Sequence, residues 1–178
     1  MHTLLIKPET EDQGYVQIKN VISNVEELGN FDIIGLTEDE LGNSVLKRMR
    51  NVANIRLAMD DAGINTPIHV YGSLDPLTSV LYFLSGAELF DGLTWLRYGY
   101  SDGSACYRAN YGVKHIGIDR SDDFVKAKAM RDNLGSLVEL NHQMRKFLLN
   151  GDFAKFGINE KTVHEAYDLL CTKVPRLK

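Results

Sequence analysis

Apolar and polar positions along this chain fall into short blocks that switch between strand-like and helix-like spacing. Thr3–Lys7 is a short apolar run ended by Pro8, and it reads as a buried strand. From Tyr15 to Leu28 the residues Ile18, Val21, Ile22, Val25 and Leu28 recur at helical spacing, and Gly29-Asn30 stops them. Phe31–Gly35 is a second strand. Past Leu36-Thr37-Glu38-Asp39-Glu40 a long helix carries Leu41, Val45, Met49, Val52 and Met59 as far as Ala62, and Gly63 closes it. Pro67–Tyr71 and Ala87–Phe90 are the third and fourth strands. The helix between them opens at Asp75-Pro76, an N-cap followed by proline at the first helical position, and ends near Gly86. The order up to Asp91 is therefore βαβαβαβ. A βαβ unit brings the loops after both of its strands to one edge of a parallel sheet, the edge where polar residues do chemistry in α/β folds.

Beyond Asp91 the pattern changes. Gly92–Gly103 is expected as a loop with a helical turn. Ala105–Ile118 alternates weakly through Cys106, Tyr107, Tyr111, Val113 and Ile116, which predicts a hairpin bent at Asn110 or Gly112. Ser121 caps a helix reaching Leu149, with Gly135 as the place for a break, and Asn159 caps a last helix over Glu160–Leu170. The expectation is one domain, residues 1–178, with half-barrel β/α units over 1–103 and the hairpin and carboxy-terminal helices over 104–178. The fold class is α/β: a partial (β/α) TIM-type barrel of four parallel strands plus a carboxy-terminal helical segment. Half a barrel leaves strand edges unpaired. Either the sheet is open with helices on both faces, or a second chain completes it.

Composition adds limits to this picture. With 178 residues, 44% apolar and 25% charged, the chain suits one globular core. No apolar run approaches the roughly 20 residues that span a bilayer, and the start lacks the features of a signal peptide. The expectation is a cytoplasmic chain with no membrane partner. Cys106 and Cys171 stand far apart, too few and too distant for a disulfide scaffold or a zinc ribbon, so no metal or cofactor is expected. The net charge of −4 hides an asymmetry: residues 1–91 hold 6 Lys+Arg against 14 Asp+Glu, and residues 92–178 hold 14 against 10. Only the second half has the sign that attracts polyanions, although solvated helix faces give the same count.

Few residues stand out as carriers of chemistry. Asp91 follows the fourth strand directly, and a turn-forming Asp before Gly is its ordinary alternative. Glu40 has a strong rival explanation, because Thr37-x-x-Glu40 is a capping box. His69 alternates on a buried strand and reads as a satisfied core histidine rather than a ligand. Tyr98, Tyr100, Tyr107 and Tyr111 interleave with Arg97, Arg108, Lys114 and Arg120, a mixture that can stack bases and follow phosphates or simply pack as a tyrosine-rich hairpin. No phosphate-binding glycine loop, Gly-x-Ser-x-Gly elbow or His-Glu-x-x-His occurs.

Taken in order, several of these blocks resemble one family. Ile34-Gly35-Leu36-Thr37-Glu38-Asp39-Glu40, Ile68-His69-Val70-Tyr71-Gly72-Ser73-Leu74-Asp75-Pro76, Gly86-Ala87-Glu88-Leu89-Phe90-Asp91 and then Arg97 and Gly103 resemble the carboxy-terminal half of the tRNA-guanine transglycosylases. That family has a pattern like Gly-Gly-Leu-Ala-x-Gly-Glu, a strand ending in Met-Gly-x-Gly-x-Pro, and Gly-x-Asp-x-Phe-Asp with Thr-Arg shortly after. Asp132-Asn133-Leu134, Met144-Arg145 and Phe153–Phe156 resemble its His-Asn-Leu helix and closing segment.

The resemblance implies exchange of guanine for a 7-deazaguanine base at a nucleotide C1′, in tRNA or DNA. Asp91 would be the catalytic nucleophile that holds the covalent intermediate, chemistry that suits a carboxylate. Gly35, Leu36, Glu40, Tyr71 and Gly72 would bind the base, with Tyr71 stacking where the family usually has Met. Arg97, Tyr98, Arg108 and Lys114 would bind the nucleic acid. The family's earlier carboxylates have no counterpart, Lys7 lies near where a base-contacting Gln is expected, and the zinc insert is missing, with Asp132 at the His ligand position. Zinc is therefore not carried over. Two functions fit: an enzyme half that needs a completing protein chain or homodimer, and a non-catalytic base- or nucleic-acid-binding module for recognition or assembly.

Overall fold

The computed structural model describes residues 1–177, and the chain divides into two compact units. The first comprises Met1–Ser73, Leu81–Asp91 and the residues from Glu165 onward; the second comprises Leu74–Val80 and Gly92–His164. The division follows neither the 103/104 boundary of the sequence nor a single linker.

The first unit is built on a four-stranded sheet in the order β1 (Thr3–Ile6), β2 (Ile33–Thr37), β3 (Ile68–Tyr71) and β4 (Leu89–Phe90). Every neighbouring pair is parallel, as the βα alternation predicted. The register puts Leu4, Ile34 and Ile68 in one row and Ile6, Leu36 and Val70 in the next. Ile34, Leu36, Ile68 and Val70 are fully buried, as are Met49, Val52, Ala53, Ile55 and Met59 of the helix α3 (Val45–Asp61). The alternate residues face the other way, where Leu5 stays 45% and Leu89 37% exposed. One face of the sheet is therefore core, and the other is only partly covered.

Three expectations in this unit need correction. The single helix expected from Tyr15 to Leu28 is two short ones, α1 (Ile18–Ser23) and α2 (Val25–Leu28), joined at Asn24. Glu38–Leu41 forms a 3-10 turn separate from α3. The capping box is also absent: Thr37 makes no side-chain cap bond. Ser44 caps α3 instead, its hydroxyl accepting from the Lys47 N–H at 3.2 Å.

Arg56 of α3 holds the amino-terminal edge of the sheet. Its guanidinium donates to the Thr66 carbonyl at 3.0 Å and the Ile64 carbonyl at 2.5 Å, and stands 3.5 Å from Glu88 Oε1. The other Glu88 oxygen accepts from the Ile68 N–H at 2.8 Å. Burial raises the Glu88 pKa, and the Ile68 N–H and Arg56 pull it back. A β-carbon on Gly86 would lie 2.6 Å from Arg56 Cγ, so glycine is what lets the arginine reach across.

The second unit opens with the first turn of α4 (Pro76–Leu84), capped as expected by Asp75, whose Oδ1 accepts from the N–H groups of Leu77 and Thr78. A helical turn α5 (Thr94–Arg97) leads into an antiparallel hairpin of β5 (Gly99–Ser101) and β6 (Ser104–Cys106). The hairpin expected over Ala105–Ile118 is thus wrong in place. Its turn is Asp102-Gly103, both at positive φ (53° and 73°), and residues 108–115 form the helix α6 (Arg108–His115). Two central residues at positive φ give a turn that matches strand twist, which is why Asp-Gly favours it. α7 (Asp122–Asn150) runs through Gly135 without a break, from its Ser121 cap to Gly151 in the left-handed conformation. A 3-10 stretch, Phe153–Asn159, leads to α8 (Glu160–Lys173). Among the described residues, no helix is long and apolar enough to cross a membrane.

Candidate functional site

The carboxyl edge of the parallel sheet carries Lys7, Thr37, Glu40, Tyr71 and Asp91. Strand side chains alternate, so the β2/β3 register sets His69 and Tyr71 on the same face as Gly35 and Thr37, while Leu36 shares the opposite, buried face with Val70. Tyr71 lies low over β2. A β-carbon on Gly35 would fall 2.7 Å from its ring and 3.2 Å from Leu5, so only glycine admits the ring there. His69 stacks on Tyr71 with centroids 3.9 Å apart and planes at 29°.

Asp91 follows β4 immediately. Its carboxylate is 54% exposed, and Oδ1 accepts from the Gly72 N–H at 3.2 Å. His69 Nε2 stands 3.9 Å from Asp91 Oδ2, an electrostatic contact too long for a hydrogen bond. That nitrogen is buried and has no hydrogen-bond partner. The expectation of a satisfied core histidine therefore fails at one atom, next to the residue read as the nucleophile. Burial lowers the His69 pKa, and the Asp91 carboxylate draws it part of the way back. A carboxylate so placed keeps lone pairs for an approaching electrophile.

Glu40 lies in the 3-10 turn after β2. Lys7, just past β1, donates to Glu40 Oε1 at 2.9 Å and to Thr37 Oγ1 at 3.2 Å. Glu40 Oε2 is buried without a partner. A cavity of about 360 Å3 opens here, lined by Lys7, Glu9, Glu11, Gln13 and Glu40 among others. The site residues read from the sequence in this unit therefore form two groups on one sheet edge: Asp91 with Tyr71 and Gly72, and Glu40 with Lys7. Gly35 lies inside β2 beneath Tyr71, and Leu36 is turned into the core.

The chain matches no family model, no curated protein and no solved structure.

The residues read as nucleic-acid-binding all fall in the second unit. Arg97 ends α5 and is exposed; Tyr98 follows it, with its ring 6.1 Å from that of Tyr107, which is 73% exposed. Arg108 begins α6. Lys114, in the last turn of α6, donates to Asp102 at 2.8 Å, so its charge is countered within the protein. That ion pair raises the Lys114 pKa and, with the Ser101 hydroxyl, lowers that of Asp102. Tyr98 and Tyr107 are both exposed, and each is next in sequence to an arginine.

Among the described residues, no three His, Cys, Asp or Glu side chains are grouped to hold a metal ion. Asp132 accepts from Lys128 and from the Tyr111 hydroxyl. Burial raises its pKa, but these two donors outweigh that and hold the carboxyl below its usual range. Zinc does not fit here, since Asp132 is engaged and both cysteines are free and distant in sequence.

Its neighbour Asn133 was read only as part of a motif, yet it is the polar anchor of the second unit. Fully buried, it accepts from the Tyr100 N–H at 2.8 Å and donates to the carbonyls of Trp95 and Tyr98 at 2.7 and 2.8 Å. The sequence signal was available: an asparagine within the buried stripe of a helix must find partners. A cleft of about 680 Å3 also opens in this unit, with Asp102, Arg131, Glu139, Gln143 and Asn159 among its walls.

Proposed function

We propose that the first unit is half of a (β/α) barrel and supplies half of a base-exchange site of the transglycosylase kind, with Asp91 as nucleophile. The observation that carries this reading is the half-exposed Asp91 carboxylate at the carboxyl edge of a parallel sheet, held by the Gly72 N–H beside the stacked Tyr71. In the reaction, an Asp91 oxygen bonds to C1′ of a nucleotide as the bond from C1′ to guanine breaks. Guanine leaves with the bonding electrons and takes up a proton. A 7-deazaguanine then attacks C1′, loses its proton and releases Asp91. Tyr71 covers one face of the base, Gly72 lets it approach, and Gly35 keeps the floor beneath Tyr71 flat. Glu40, oriented by Lys7, is the polar group on the far side of the edge, and Leu36 supports the strand from the core. Arg97, Tyr98 and Arg108 hold the nucleic acid; Lys114 contributes less, because Asp102 already neutralises it.

The open sheet face and the unpaired edges of β1 and β4 support the need for a completing chain, either a companion half-barrel or a second copy. The test is exchange of labelled guanine into tRNA and into DNA, by the chain alone and with a companion half-barrel. The expected result is a denaturant-resistant adduct with one nucleic acid, lost in Asp91→Asn with the fold unchanged. Tight nucleic-acid binding without exchange or adduct in both mixtures would overturn it in favour of the non-catalytic binding module.

A further inference from the structure

The buried stripe of α7, formed by Val125, Ala129, Asn133, Leu140 and Met144, accounts for only part of its apolar residues. Phe124, Leu134, Val138 and Leu148 are 52%, 51%, 59% and 69% exposed on the same helix. Between them, Ala127, Arg131, Asn141 and Arg145 are also exposed. Together these positions step along the helix by alternating threes and fours without interruption from 124 to 148, the spacing of a heptad seam.

We propose that α7 pairs with α7 of a second copy of this chain, antiparallel, about a two-fold axis midway between Leu134 and Val138. The occupant follows from self-complementarity. About that centre each position meets the one equally far on the other side. Leu134 meets the other copy's Val138 and Phe124 meets its Leu148, so the four large exposed apolar side chains of the seam cover one another. Arg145 meets Ala127, a small residue that leaves room for the long side chain, with Asp123 one turn away as a counter-charge. Arg131 meets Asn141, whose amide oxygen can accept from the guanidinium. At the seam positions themselves no like charges are opposed; Lys126 and Lys128 flank Ala127 opposite Arg145, with Asp122, Asp123 and the ion-paired Asp132 beside them to offset the charge. A parallel pair would set Arg131 against Arg131 and Arg145 against Arg145, which repel. Parallel and antiparallel pairs are both compatible with an isologous two-fold interface, so the pairing at the seam positions decides the orientation, and a polar pair within an apolar seam fixes its register. This surface belongs to α7 and does not depend on the base-exchange reading.

The test is sedimentation and light scattering of the full chain at micromolar concentration. The expected mass is twice the 20.0 kDa of one chain. Leu134→Glu combined with Val138→Glu puts four carboxylates at the centre and should give a monomer with an unchanged circular dichroism spectrum. Asn141→Glu should tighten the dimer by about two- to fivefold, because it adds an ion pair with Arg131 in the antiparallel register only. A wild-type monomer, a dimer that survives the double substitution, or no tightening by Asn141→Glu would each overturn the proposal.

Discussion

The His69 imidazole is held against protonation by the same burial that leaves Nε2 unpaired. Its pKa in the folded chain lies below the ordinary 6.5 of an unfolded histidine. As the pH falls through 6.5, the unfolded chain takes up a proton that the folded chain resists. The stability linked to His69 is thus full above that value and is lost as pH falls through the folded value. His69→Asn should flatten the decline of Tm between about pH 7 and about pH 5, followed by thermal melts. Asp91→Asn removes the carboxylate that favours the charged imidazole, so the His69 pKa should drop further by NMR titration. An unchanged pKa would show that the carboxylate does not act on the ring. Asn133 allows a sharper substitution. In Asn133→Asp the oxygen bound to the Tyr100 N–H remains, but the second oxygen faces two carbonyls with no hydrogen to share. A loss of about 2–4 kcal/mol in urea unfolding is expected. The buried place of Asn133 on α7 was legible in the sequence, but its three partners and the unpaired His69 nitrogen were not. An unpaired nitrogen or a three-way amide exists only once distant segments meet.

Among the elements, two glycines separate local propensity from tertiary demand. Gly135 sits inside α7, and a β-carbon there would meet nothing within 4 Å. Gly135→Ala should stabilise the chain by about 0.5–1 kcal/mol, since alanine keeps the helix at less conformational cost. Gly103 is the opposite case. Its φ is +73°, and a β-carbon would fall 2.3 Å from the Asn159 amide, which itself donates to the Gly103 carbonyl at 2.7 Å. Gly103→Ala should cost about 1–3 kcal/mol in the same urea unfolding experiment. The parallel strands and α7 were readable because runs of apolar residues with clear stops allow few alternatives. The hairpin was misplaced because weak alternation over Ala105–Ile118 outweighed the Asp102-Gly103 turn signal. The helical α6 has an N-terminus without a side-chain cap bond, so nothing local announced it.

At the scale of the whole molecule, the decisive feature is a four-stranded parallel sheet with one face in the core and the other only partly covered. Leu5 and Leu89, on the two edge strands, share that open face. On the proposed half-barrel reading, Leu5→Lys together with Leu89→Lys should leave the circular dichroism unchanged while abolishing co-elution with the proposed companion chain in gel filtration; retained co-elution would place the contact elsewhere. By itself the sequence determined the order βαβαβαβ, the parallel pairing, the Asp75 and Ser121 caps and the position of Asp91 at a strand end. All of these follow from periodicity, stop residues and the geometry of a βα unit, which act within a few turns of chain. The tertiary structure alone decided that the Thr37 hydroxyl and Glu40 bind Lys7, that Tyr71 lies over Gly35, and that His69 and Gly72 flank Asp91. It also decided which face of α7 stays open. Those outcomes depend on registers and close approaches between residues about 20 to 35 positions apart, and no spacing within a single segment encodes them.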